Sequence, residues 1–227
     1  MKEDVFPRTH NTWIGRKLLE GEAGRNELNR HVMEVYADPL RVYFLGTPDR
    51  RYAEAEEVVE GFFADRLARD DFFEDWKTSG LRLRRWLMNG LGFYLKELRR
   101  ARKRGSRSQA LDEERDAPLE DSSRDVERDM DRAFAIAVVR QALGESRRAC
   151  AAKGLERHWD IFYRHYYQGQ AYGEFADEYG VEAAKASDMA RTAAGRFRDA
   201  MRDLLASDGA LESEIDQEIE MLLEICG

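Results

Sequence analysis

The chain has 227 residues, 36% of them charged, and its 45 acids against 37 bases leave a net charge of −8. A hydrophobic share of 43% suffices for packed cores, yet no apolar run approaches the ~18 residues of a membrane span, so no membrane insertion is expected. Net negative charge argues against a generic nucleic-acid coat, because phosphate attracts positive surface.

Charge is segregated along the chain. Residues 53–75 carry nine acids and two arginines, residues 81–107 ten bases and one acid, and residues 112–131 ten acids and three bases. Such blocks suggest several surfaces that meet partners of different charge. The start, "MKEDVFPRTHNTW", lacks an apolar signal core, so a cytoplasmic protein is expected. Cys150 and Cys226 lie far apart without a CxxC or Cys/His spacing, which fits free thiols in a reducing compartment.

Almost every periodic segment has helical spacing, and none alternates at period two, which predicts an all-α fold. The first helix is expected over about 26–45, with Leu28, Val32, Val35, Tyr36 and Leu40 buried and Pro39 as a point of kinking. "GTPDRR" at 46–51 reads as a turn. A second helix over about 52–69 buries Val58, Val59, Phe62, Phe63 and Leu67, and residues 70–80 read as an irregular connection. In the third helix Leu83, Leu87, Leu91, Tyr94 and Leu98 form a packing stripe. Arg85, Asn89, Phe93, Lys96, Arg100 and Lys103 follow the same rhythm on another face, so one side can pack and the other can meet an anion.

From Gly105 to about Ser123 the sequence lacks a sustained apolar stripe and reads as a flexible acidic linker. A second helical unit begins near Val126. Within it "AYGEFADEYGVEAAKASDMARTAAGRF" has the layout of a helix-turn-helix: a short helix with Phe175, Ala176 and Tyr179, a corner at Gly180, and a long helix from near Glu182. On that helix Ala186, Met189, Ala190, Ala193 and Phe197 fit the packed side, while Lys185, Ser187, Asp188, Arg191, Thr192 and Arg196 point outward. The tail after Leu205 sets Leu211, Ile215, Ile219, Leu222 and Ile225 on one side of an acidic helix.

Three segments in fixed order resemble bacterial sigma factors of the extracytoplasmic-function type. "AEAEEVVEGFFADRLA" resembles the acidic helix of their second region, "LRRWLMNGLGFYLKELRRARKR" the helix that follows it, and "HWDIFYRHYYQGQAYGEFADEYGV" the opening of their fourth region. The resemblance covers roughly residues 26–104 and 126–205. It implies two small helical domains: a region-2-like domain over 1–104 and a region-4-like helix-turn-helix domain over 126–206. A linker over 105–125 joins them and a tail over 207–227 follows. The chain departs from the family at Phe93, where Asn is usual. Glu97 and Arg100 stand at its Asp and Arg positions, Glu60-Gly61 at its Gln-Glu, and Asp188 and Thr192 at small polar and basic positions.

The resemblance further implies a transcription initiation factor whose partners are core RNA polymerase, promoter DNA and an anti-sigma protein. Glu54, Glu56, Glu57, Glu60 and Asp65 would dock on a basic coiled coil of the polymerase; a solvated helix face is the alternative for the same residues. Arg85, Asn89, Phe93, Lys96, Arg99, Arg100 and Lys103 would hold the −10 element as it melts, with Phe93, Trp76 and Tyr94 as the nearby aromatics. Lys185, Ser187, Asp188, Arg191, Thr192 and Arg196 would face the −35 element, and the linker's acids would imitate nucleic acid; a merely solvated tether is the alternative for the linker.

No phosphate-cradling glycine loop, nucleophile elbow, triad or metal cluster is present in the sequence, so neither an enzyme nor a cofactor is expected. His158 and His165 lie seven apart without a third ligand type, which argues against a metal site. The rival reading is a sigma-like helical adaptor or regulator that has lost promoter reading, favoured by Asp188, Thr192 and the negative total charge.

Overall fold

The computed structural model describes residues 13–105 and 120–226, without the side chains of residues 103, 105 and 120–124. The described residues form ten α-helices and no strand, an all-α fold. No helix among them is long and apolar enough to cross a membrane. Two compact units are present: Met1–Ala137 with Ser207–Leu211, and Val138–Ala206 with Glu212–Gly227.

The first unit holds α1 (Trp13–Leu19), α2 (Gly21–Leu45), α3 (Ala55–Arg66), α4 (Phe72–Ser79), α5 (Leu83–Gly105) and the first part of α6 (Glu120–Ala151). Along α2, Leu28, Val32, Val35, Tyr36, Pro39, Leu40 and Phe44 are buried, a stripe at three- and four-residue spacing. Pro39 lies inside this helix. Residues 48–51 form one 3₁₀ turn. Val58, Val59, Phe62, Phe63 and Leu67 are all buried, as their spacing predicts.

Residues 72–79, expected as irregular, are the helix α4. Its Phe72, Phe73 and Trp76 turn inward and Gly80, at φ 70°, ends it. Two turns are too short for periodicity to announce a helix; burial of three aromatics holds this one. Trp76 is therefore core, only 5% exposed, and donates from Nε1 to the Leu81 carbonyl at 2.9 Å. It is not a surface ring for a base.

The first turn of α5 is closed by a residue far away in sequence. Leu83 N donates to the Asp208 carbonyl at 2.9 Å and Arg84 N to Asp208 Oδ1 at 2.8 Å, so Asp208 satisfies donors that a helix start otherwise leaves orphaned. The same carboxylate accepts Tyr36 Oη at 2.9 Å and Arg84 Nη1 at 2.7 Å. Asp208 is fully buried, and burial pushes its carboxyl up to about 6 against the pull of Arg84. Beside it Ser207 Oγ lies 3.3 Å from His31 Nε2, and burial pushes that imidazole down to about 4.

The expected linker, 105–125, lies mostly outside the described residues; its last part belongs to α6. The first unit also reaches beyond 104, to Ala137. The reason is visible in the packing. Arg85 pairs with Glu127 at 2.9 Å and Asp131 at 3.4 Å, and the Phe134 ring stacks 5.6 Å from that of Tyr36.

The second unit holds the rest of α6, α7 (Glu156–Tyr166), α8 (Tyr172–Phe175), α9 (Ala183–Ser207, its last residue in the first unit) and α10 (Ile215–Cys226). A 3₁₀ turn over Ala176–Tyr179 leads to Gly180, whose φ of 67° is the left-handed corner the sequence announces. Ala186, Met189, Ala190, Ala193 and Phe197 are buried on α9. On the tail Ile215, Ile219 and Leu222 are buried while Leu211 and Ile225 are exposed, and Arg202 ties it down through Glu212 and Asp216.

Candidate nucleic-acid interface

The apolar stripe of α5 sets the direction of everything else on that helix. Leu83, Leu87, Leu91 and Leu95 are buried, and Tyr94 and Leu98 are half-buried. Tyr94 comes so close to α3 that a Cβ on Gly61 would lie 2.5 Å from its hydroxyl oxygen, so any side chain at 61 would require Tyr94 to shift. With that side packed, Asn89, Phe93, Lys96 and Arg100 are left exposed. Phe93 keeps 61% of its surface open, and Lys96 Nζ lies 5.3 Å from its ring centroid.

Two depressions flank this ridge, and both share Asn89 and Phe93. One, of about 470 Å³, lies against the α2–α3 turn and is also lined by Thr47, Asp49, Lys96 and Arg99. The other, of about 330 Å³, lies against Arg66, Phe72, Trp86 and Glu97. Asp49 is buried and its Oδ1 stands 3.0 Å from Arg99 Nε. The lone acid of α5, Glu97, is neutralised by Arg66 at 2.7 Å.

The expected α5 set is thus not uniform. Asn89, Phe93, Lys96 and Arg100 are open, Arg99 is half-buried and bound to Asp49, and Arg85 is held by Glu127 and Asp131. The Lys103 side chain lies outside the described residues. Asp49 and Tyr52 escape sequence reading because 46–51 shows only a turn and Tyr52 falls at the start of the expected second helix. The run Arg50, Arg51 and Tyr52 is the one signal available there.

On α3 and its approach, Glu54, Glu56, Glu57, Glu60 and Asp65 are all exposed. Glu56 binds Arg41 at 2.6 Å, and Asp65 binds Arg66 and Arg69. Beside them Met33, Val59, Phe63 and Leu67 line a shallow apolar depression of about 500 Å³.

On α9, Lys185, Asp188, Arg191 and Thr192 are exposed, while Ser187 and Arg196 are half-buried. Asp188 holds Arg191 at 2.7 Å, and its carbonyl accepts Thr192 Oγ1 at 3.1 Å. His158 is half-buried, its pKa lowered by burial and then by Lys185 and Arg196, and His165 Nδ1 meets the Gln170 carbonyl at 2.9 Å. Among the described residues no three His, Cys, Asp or Glu side chains gather as a metal would need.

No family model, curated protein or solved structure matches this chain.

Proposed function

We propose that the chain is a sigma-type transcription initiation factor. It docks on core RNA polymerase through the acidic face of α3 and holds one strand of opened promoter DNA on the outward face of α5. The α8–α9 corner addresses duplex DNA upstream. The observation that carries this reading is Phe93, an open aromatic ring under a lysine, on the most basic of the described helices of an acidic chain.

Each surface fits its task by simple physics. Lys96 and Arg100 would neutralise phosphates, which makes binding salt-dependent. A base stacked on Phe93 would contribute roughly 1–3 kcal/mol, and the two flanking depressions offer room for a base turned out of the stack. Glu57 and Glu60, exposed beside the apolar depression of α3, would steer and orient a basic partner.

Transcription by polymerase reconstituted with the purified chain, followed by mapping of start sites, tests the proposal. Promoter-dependent initiation is expected; Glu57→Lys with Glu60→Lys should lower polymerase capture by about tenfold while leaving the fold intact. Capture without initiation would favour the second reading, an adaptor on the same fold. One observation supports that alternative: the acid in the middle of the outward face of α9, Asp188, occupies Arg191.

A further inference from the structure

The turn between α2 and α3 carries a second cluster of cations and open aromatic surface. Arg50, Arg51 and Tyr52 are exposed, and Tyr52 keeps 58% of its surface open. Arg102 of α5 sets its guanidinium 5.6 Å from the Tyr52 ring centroid and donates from Nη2 to the Tyr52 carbonyl at 3.1 Å. This repeats the pair formed by Phe93 and Lys96 on the same helix. The depression of about 470 Å³ is lined by Phe93 and Lys96 of the first pair and reaches the turn that leads to Tyr52 at Thr47, Pro48 and Asp49.

Nine residues of α5 separate Phe93 from Arg102, an axial rise of about 14 Å combined with about half a turn at ~3.6 residues per turn. A strand joining the two rings therefore crosses α5 obliquely, over the side that carries Lys96. Asp49 is buried against Arg99 and offsets it, and Glu97 is bound to Arg66, so Lys96 and Arg102 supply the positive charge beside the two rings. An acidic peptide would be satisfied by the cations alone. Two open rings, each with a cation at its side, instead suit a ligand that alternates phosphates with flat faces.

We infer that Tyr52 with Arg102 is a second stacking platform, and that a single strand of nucleic acid seated on Phe93 continues across the depression to the α2–α3 turn. This rests on the proposed role of the α5 face. Lys96 lies along the path between the two rings, where a phosphate of an intervening nucleotide would pass. The preference is for any base, because stacking reads no hydrogen-bond pattern.

The test uses the full chain and 12-nucleotide oligothymidines that carry one 2-aminopurine at successive positions, read by anisotropy and by fluorescence quenching at low salt. Quenching is expected at two separate positions of the strand. Tyr52→Ala should abolish the second quench and weaken binding about 5- to 100-fold, Arg102→Gln should weaken it less, and Tyr52→Phe should behave as wild type. If Phe93→Ala weakens binding but Tyr52→Ala does not, the second platform falls and the role of α5 stands. If wild type fails to bind, or neither variant changes binding, both fall. Equal binding of an abasic strand, or equal displacement by polyglutamate, would reduce the cluster to charge and overturn the inference.

Discussion

Helices α5 and α9 are alike in length, 23 and 25 residues, and each buries one apolar stripe while turning the other side outward. Their outward chemistry differs. Helix α5 carries eight bases and one acid; α9 carries five bases and three acids. The acid of α5 is bound by Arg66 of α3, whereas Asp188 of α9 binds a cation of its own helix. On the proposed reading a single-strand grip needs positive charge and an open ring, and Lys96, Arg100 and Phe93 of α5 supply them. Helix α9 offers no open ring and Asp188 already holds Arg191, so on the same reading it is the weaker nucleic-acid surface.

The two helices also begin differently, and the largest predicted effect exploits that. Helix α9 starts locally, with Ala186 N bonded to the Glu182 carbonyl. Helix α5 depends on the distant Asp208. Asp208→Ala should lower unfolding free energy by about 3–5 kcal/mol, because it removes the buried acceptor of the Tyr36 hydroxyl, of Arg84 Nη1 and of the Arg84 backbone N–H. Glu182→Ala should stay within about 0.5 kcal/mol. Urea titration of both variants checks the contrast, and equal effects would refute it.

The same clasp predicts a compensated pH response. Native Asp208 holds its proton up to about 6 instead of 3.8, so its contribution is full below about 4 and is lost as pH rises through 6. Native His31 titrates near 4 instead of 6.5, so its contribution is full above 6.5 and is lost as pH falls through 4. The two slopes oppose each other across the same window. Asp208→Asn should therefore expose a loss of stability as pH falls from 6.5 to 4, and His31→Gln a loss as pH rises from 4 to 6. Each is on the order of 3 kcal/mol. Denaturant midpoints across that range that stay flat in both variants would contradict this account.

How much of this was legible in sequence follows from distance along the chain. Leu83, Leu87 and Leu91 announce α5 because helical neighbours recur within seven residues, and Gly180 marks its corner because a left-handed backbone favours glycine. Asp208 gives no such sign: its partners Tyr36 and Arg84 lie 172 and 124 residues away. Phe72, Phe73 and Trp76 were ambiguous for another reason, since two turns of helix carry too little periodicity to separate them from a loop. Arg85 looked like one more outward cation, and only the approach of Glu127 and Asp131 shows that it is occupied.

Charge reversal sharpens the comparison on the functional side. On the proposed reading, Lys96→Glu with Arg100→Glu should reduce promoter opening on the order of 100-fold and leave polymerase capture unchanged. The salt slope of single-strand binding should fall by roughly 1.4, twice the single-strand value per lost phosphate contact. The matched pair on α9, Lys185→Glu with Arg191→Glu, should cost less in opening. Permanganate footprinting of the reconstituted complex distinguishes them, and a larger loss from the α9 pair would invert the ranking of the two helices.

The smallest effect is the most discriminating between initiation factor and adaptor. Asp188→Asn removes a carboxylate from the centre of the outward face of α9 and releases Arg191 from a 2.7 Å pair. That pair is exposed, with 69% and 60% of the two side chains open, so its loss should barely change stability. If α9 reads duplex DNA, one repulsive charge disappears and one cation becomes available to phosphate, and upstream promoter affinity should rise about three- to tenfold with a steeper salt slope. If the chain is an adaptor, the substitution leaves DNA binding where it was, because no phosphate comes near residue 188. The direction of the change is therefore more informative than its size.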